Sequence, residues 1–301
     1  MSLPIVYHPD YLAPLRHGHR FPMSKYGYLR RALVERGLLP EVGGYLAPAE
    51  AGRAHLSAVH EIGYVERVFE ARLTDAEARG IGLPSTAPVA RRARLASAGT
   101  LLAARLAIEH GIAANMAGGS HHAGPTGGAG FCVFNDVAMA ARALIDEGVV
   151  GRILIVDLDV HQGDGTARIF AGEPRVYTFS VHAARNYPVR KAVSDLDIGL
   201  PDGTEDGAYL AAASAGLDRA LAEARPELVF YNAGVDPFAE DRLGRLALTL
   251  AGLRARDRMV IARVRALGLP LAAALGGGYS QDPVELAARH AILFEEAAAA
   301  A

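Results

Sequence analysis

Ile153-Leu154-Ile155-Val156-Asp157-Leu158-Asp159-Val160-His161-Gln162-Gly163-Asp164-Gly165 is the stretch from which the rest of the chain can be read. Its first four residues are apolar, and the run is short and closed by Asp and Gly, the pattern of a buried strand in a parallel sheet. Asp157 comes straight after that run, where a carboxylate is largely buried and needs a cation. Asp159 and His161 lie two apart in an extended segment, so their side chains share a face, and Asp157 points the same way one step back. With Asp236 from another strand end they make an Asp-His-Asp set. Three protein ligands leave a fourth position for water, as a catalytic zinc needs. Nitrogen and oxygen donors without sulfur suit Zn²⁺ but also Fe²⁺, Mn²⁺ or Co²⁺.

Outward from this stretch, further short apolar runs stand at Ile5–Tyr7, Ile112–Ala117, Val176–Ser180, Leu228–Asn232 and Leu271–Leu275. Between them lie helical patterns at Lys25–Arg36, Ala49–Val59, Pro88–His110, Asp136–Glu147, Glu205–Ala224, Leu253–Leu267 and Pro283–Glu296. Gly37, Gly111, Gly148 and Gly268 each follow a helical pattern, as glycines that end helices do. Thr74–Thr86 has no strong pattern and is expected as a surface loop. No Pro/Ser-rich linker, charge block or repeat divides the chain. The expected fold is therefore α/β: a single domain over residues 1–301, with a mostly parallel central sheet and helices on both faces.

Composition narrows the function classes. The 301 residues carry 31 Lys+Arg against 33 Asp+Glu, a net charge of −2, which argues against bulk binding to nucleic acid or an anionic membrane. Hydrophobic residues at 51% and charged residues at 21% give enough apolar material for a large core. One cysteine, Cys132, excludes an intrachain disulfide and any multi-cysteine metal site, and fits a reducing, cytoplasmic setting. No signal-peptide pattern and no run of about 18 apolar residues stands in the chain. Oligomeric state is not encoded legibly.

Polar residues suited to catalysis follow the strand runs. Gly118-Gly119-Ser120-His121-His122 follows one, Ala233-Gly234-Val235-Asp236-Pro237 another, and Gly276-Gly277-Gly278-Tyr279 a third. Any one of these could be an ordinary turn, since Gly and Asp favour turns. Together with Asp157–Gly165 they mark the carboxyl ends of four strands, where open α/β sheets bind ligands. His121 and His122 can act as general base and electrostatic partner, each needing an acid to orient its other ring nitrogen, with Asp157 and Asp164 the nearest candidates. The Tyr279 phenol can donate to a developing oxyanion.

As an ordered set these motifs resemble the zinc-dependent histone deacetylase family of the arginase–deacetylase fold. The resemblance runs from His17-Gly18-His19-Arg20-Phe21-Pro22-Met23 through Gly130-Phe131-Cys132-Val133-Phe134-Asn135-Asp136 to Tyr279. His161-Gln162, Gly203-Thr204-Glu205-Asp206 and Asp241-Arg242-Leu243-Gly244 look most like the class IV branch and its bacterial relatives. It implies Zn²⁺ on Asp159, His161 and Asp236, and catalytic His121 and His122 oriented by Asp157 and Asp164. It also implies a carbonyl-polarising Tyr279, and an acyl-lysine tunnel with Phe131 and Tyr187 as walls and Gly130 beside the substrate amide. A structural K⁺ is implied at Asp157, Asp159, His161, Ser180 and Val181. The implied reaction is hydrolysis of an acylated amine, with acetyl or longer acyl groups on lysine, acetylpolyamines or another small amide as the substrate choices. Two features depart from familiar members: Gln162 replaces a second histidine, and the Thr74–Thr86 loop offers only Asp75 where a substrate-gripping aspartate is usual.

Two rival readings remain at this level. A binuclear manganese ureohydrolase of the arginase type needs an Asp-x-Asp element on the later strand, and Gly234 stands where the first Asp would be. A non-catalytic binding protein on the same scaffold would show degenerate ligands, and none of the six central residues is degenerate.

Overall fold

In the computed structural model, which describes residues 2–301, the alternation of apolar runs and helical patterns folds in the order it suggests. The elements are β1 (Ile5–Val6), α1 (Lys25–Glu35), α2 (Arg53–Ser57), α3 (Ile62–Phe69), α4 (Asp75–Ile81), α5 (Ala87–His110), β2 (Ile112–Asn115), α6 (Asp136–Asp146) and β3 (Ile153–Asp157). Then follow α7 (Asp164–Ile169), β4 (Val176–Ala183), β5 (Leu196–Leu200), α8 (Asp206–Ala224), β6 (Leu228–Ala233), α9 (Leu250–Ala266), β7 (Leu271–Leu275) and α10 (Pro283–Ala299). Seven strands form one sheet in the order β1-β2-β7-β6-β3-β4-β5. Every pairing is parallel, so the expected mostly parallel sheet is wholly so. β2, β3, β6 and β7 are buried at every residue, which is why each is a continuous apolar run rather than an alternating one. α5 packs on β2 and β7 and carries α6, while α8 covers β3, β4 and β5 and leads through α9 and α10 to α1.

Several sequence expectations are corrected. Thr74–Thr86 is not simply a loop, because it contains α4. Thr74 Oγ1 accepts from Glu77 N at 3.2 Å and Glu77 Oε2 accepts from Thr74 N at 2.8 Å, a reciprocal cap that starts the helix. Gly82, at φ 79°, ends it in the left-handed conformation. The helix expected over Ala49–Val59 is only Arg53–Ser57, because Gly52 is extended at its start. β5 was not anticipated: its sequence Leu-Asp-Ile-Gly-Leu is poor in strand formers, and pairing with β4 imposes the conformation. α3 and the short α7 were likewise unforeseen.

One buried cation ties the sheet's functional edge to α9. Arg256 is fully buried; its Nη1 donates to Leu158 O at 3.2 Å and also to Gly234 O, and its Nε donates to Asp257 Oδ1 at 2.9 Å. The loops after β3 and β6 therefore share one guanidinium, and Tyr231 Oη closes the network on Asp257 at 2.5 Å. Arg256→Ala leaves the Asp257 charge buried without its cation and should lower the unfolding free energy by about 3–5 kcal/mol. Urea titration followed by circular dichroism checks this, and an unchanged midpoint would contradict it.

Candidate active site

The strand order β2-β7-β6-β3 sets four loops side by side along one edge of the sheet. Asp159 and His161 follow β3 and Asp236 follows β6. All three are buried, and their donor atoms lie within 4.8 Å of one another. His161 Nδ1 is 2.9 Å from Asp159 Oδ1 and 3.1 Å from Asp236 Oδ2. Backbone amides fix the other oxygens: Gly277 N donates to Asp159 Oδ2 at 2.6 Å and Val160 N to Asp236 Oδ1 at 2.9 Å. A Cβ at Gly277 would run into both carboxylates, so only glycine lets this amide approach. Asp236 Oδ2 has no hydrogen bond, although it is buried. Burial, and after it the charge of Asp159, pushes the Asp236 carboxyl up to about 7. Burial works against charge on His161, but Asp159 and Asp236 outweigh it and raise the imidazole to about 10. Two buried carboxylates and an unmet lone pair are costly without a cation between them, and an Asp-His-Asp donor set fits a divalent transition metal. Among the described residues this is the one such group of three, and Gly234 supplies no acid for a second metal.

The adjacent histidines come from the loop after β2. His121 Nδ1 lies 2.6 Å from Asp157 Oδ2, and His122 Nδ1 lies 2.6 Å from Asp164 Oδ1, the pairing that the family resemblance implied. Ionised carboxylates only accept, so each Nδ1 carries the proton and each Nε2 is left for the cleft. The two rings lie 4.1 Å apart but sit in unlike fields. Burial opposes charge on His121, yet Asp157 and then Asp159 overcome it and raise its pKa to about 9. Burial and the neighbouring His121 charge lower His122 to about 3, and its partner Asp164 is shared with Arg168. The fields thus favour charge on His121 and disfavour it on His122.

Tyr279 ends the loop after β7. Its ring is 5.8 Å from Phe131 and 6.5 Å from His161. Tyr187, half exposed, packs edge-on against His122 at 4.8 Å, and Gly130 lies against both His122 and Tyr187. Phe131 and Tyr279 on one side, with Tyr187 on the other, make an aromatic passage to the Asp-His-Asp group. It opens into a cavity of about 630 Å³. Phe131 has φ 66° and is held by Phe131 N donating to Ile81 O at 2.6 Å, so α4 sets one wall.

A model of the histone deacetylase domain matches residues 19–294. The chain belongs to the histone deacetylase family. Histone deacetylase 2 of Arabidopsis thaliana is 32% identical over 90% of this chain and 72% of its own length. A probable deacetylase of Archaeoglobus fulgidus is 30% identical over 92% of this chain and 81% of that protein. An uncharacterized protein of Picosynechococcus sp. is 48% identical over 99% of both chains. The crystal structure of the HDA15 HD domain superposes with a TM-score of 0.84 over 99% of this chain and 89% of that one, at 23% identity, and so shares the fold.

Of the residues expected for potassium, Asp157 and Ser180 are neighbours in the sheet. Beyond that pair, Ala183 N donates to Val160 O at 2.9 Å, so the chain after β3 continues beside the end of β4. Gln162 is not one of the three possible metal donors; its Nε2 donates to Ala192 O at 2.9 Å and to Asp197 Oδ1 at 2.8 Å. Other supporting residues carried no role in the sequence reading. Asn232 Nδ2 donates to Asp157 Oδ1 at 2.9 Å. Asp136 accepts from Ser120 N at 2.7 Å and Gly119 N at 3.1 Å, holding the histidine loop. Asp241 accepts from Tyr279 N at 2.7 Å and pairs with the buried Arg289 at 3.2 Å. Lys25 is buried, donates to Gly276 O at 3.2 Å, and is lowered to about 8 by burial and Arg92. Asn232, Asp136 and Asp241 stand in the family-like motifs, whereas Lys25 sits in an amphipathic helix with no local signal. No helix among the described residues is long and apolar enough to cross a membrane.

Removing Asp236 takes away one of three donors. Asp236→Ala should weaken divalent-metal affinity by more than the roughly 10–100-fold typical of residues that only support a ligand. Competition against a chromophoric chelator measures this, and parent-like affinity would exclude Asp236 as a ligand.

Proposed function

We propose that this chain hydrolyses the amide of an acylated amine such as acyl-lysine, acetyl or longer, with one Zn²⁺ on Asp159, His161 and Asp236. The observation that carries the reading is convergence: two His–Asp pairs at 2.6 Å and one tyrosine meet a buried Asp-His-Asp group at the end of an aromatic passage. When bound, the metal supplies Lewis acidity, polarising the carbonyl and bringing the pKa of a water toward about 7. Neutral His122 takes a proton from the attacking water at Nε2, with Asp164 holding its ring in the required tautomer. His121, positively charged against Asp157, offsets the negative charge that develops. Tyr279 donates to the substrate oxygen as it becomes an oxyanion. As the C–N bond breaks, the proton on the imidazole passes to the leaving nitrogen, giving a carboxylate and a free amine. Phe131 and Tyr187 pack the neutral methylene stem of the substrate, which loses little on leaving water. The same reading places a structural K⁺ at Asp157, Asp159, His161, Ser180 and Val181, and a cytoplasmic setting agrees with the single buried thiol Cys132.

Tyr279→Phe keeps the ring and removes one donor, so kcat should fall by about 10²–10³ with the metal retained. His122→Ala should lower kcat by about 10²–10⁴ through loss of the base. Steady-state kinetics on an acetyl-lysine peptide, with metal content determined on the same samples, test both. Parent-like kcat at full metal content in both variants would reject the mechanism.

A further inference from the structure

The mouth of the passage is cationic. Arg16, Arg20, Arg79, Arg185 and Arg245 line the outer cavity, and no aspartate or glutamate does. The guanidiniums come from separate segments: the loop before α1, the end of α4, the loop after β4 and the loop before α9. Arg185 and Arg245 share a single acid, Asp202, at 3.8 Å and 3.0 Å. Arg16, Arg20 and Arg79 are exposed and form no ion pair among the described residues, unlike most arginines of this chain. The whole chain has a net charge of −2, so this concentration of positive charge is local. Asp75, the one acid of the rim segment apart from Glu77, sits at the opposite end of α4 from the mouth, and Glu77 is paired with Arg67. α4 therefore presents Arg79, Gly80, Ile81 and Gly82 to the cavity.

We propose that the preferred substrate is an acyl-lysine in an acidic peptide, with Asp or Glu flanking the modified lysine. The proposal rests on the deacylase reading above. Guanidinium forks bind carboxylates in two-point contacts, and five around one cavity raise the local concentration of anions. Their spread over four segments fits carboxylates on both sides of the lysine, which a peptide carries and a small amine does not. An acetylpolyamine would bring its remaining ammonium groups among like charges, which is unfavourable.

The test uses the zinc-loaded chain and three acetyl-lysine peptides differing only in flanking Glu, Gln or Lys. At low salt the Glu peptide should exceed the Gln peptide by about 10-fold or more in kcat/KM, chiefly through KM, with the Lys peptide lowest. The gap should close toward 1 M salt, where screening acts within about 3 Å. Arg20→Glu and Arg79→Glu should narrow it, and Arg79→Lys should keep most of it. Fluorescence anisotropy with labelled peptides reads the same preference without turnover. Tighter binding of the Glu peptide with no hydrolysis of any peptide would support the cationic mouth and reject the deacylase reading. Equal kcat/KM and equal binding for the three peptides would overturn the proposal while leaving hydrolysis intact. Preference for free acetyl-lysine over its carboxamide, with the peptides equal, or acetylputrescine turned over as fast as the Glu peptide, would also overturn it.

Discussion

The structure depends on two buried carboxylates, Asp159 and Asp236, held on either side of His161 Nδ1. Like charges so placed repel, and burial removes the water that would screen them. The surrounding chain is arranged to make the placement tolerable. Gly277 and Val160 turn their amides to the outer oxygens, and Arg256 gathers the carbonyls of Leu158 and Gly234 from behind. What these donors leave unmet is Asp236 Oδ2, on the side toward His161. That deficit is what suits the group to a metal.

The same crowding separates the two histidines. Identical side chains, adjacent in sequence and each bonded to an aspartate at 2.6 Å, acquire opposite tendencies because only His121 also lies near Asp159, with Nε2 at 3.8 Å. Once His121 is charged, it disfavours a second charge on His122. A pair of groups with pKa values driven apart by their environment can divide acid and base roles between them. The division arises from the distance of each ring to the carboxylates, not from any difference between the residues.

The buried site and its entrance are built from partly different segments of one domain. The histone deacetylase match over residues 19–294 includes both, apart from Arg16 of the entrance. The outer cavity is lined by His122, Phe131, His161 and Tyr279 from the loops at the sheet edge, and by arginines from the stretch before α1, the end of α4, the turn beyond β4 and the loop before α9. α4 couples the two, since Ile81 O fixes Phe131 in the passage while Arg79, two residues earlier, faces the entrance.

Much of the site was legible in the sequence because parallel strands are buried on both faces and so stand out as apolar runs, and because chemistry collects at their carboxyl ends. Asp159, His161 and Asp236, the pairing of His121 with Asp157 and of His122 with Asp164, and Tyr279 all follow from that placement and from the family-like motifs. Thr74 and Glu77 carried a capping signal for α4 that the absence of a long apolar stripe concealed. β5 and the short form of α2 were not legible, because pairing with β4 and the extended Gly52 are decided by context rather than by local preference. Nor could sequence show Lys25 under Gly276, Arg256 beneath two strand ends, or five arginines around one entrance. These residues lie far apart along the chain and have no shared spacing. Local pattern determines which segments become the buried central strands and what chemistry each one ends in; only packing determines which distant charges meet, because a Coulomb interaction depends on separation in space and on burial, and neither is written in the order of residues.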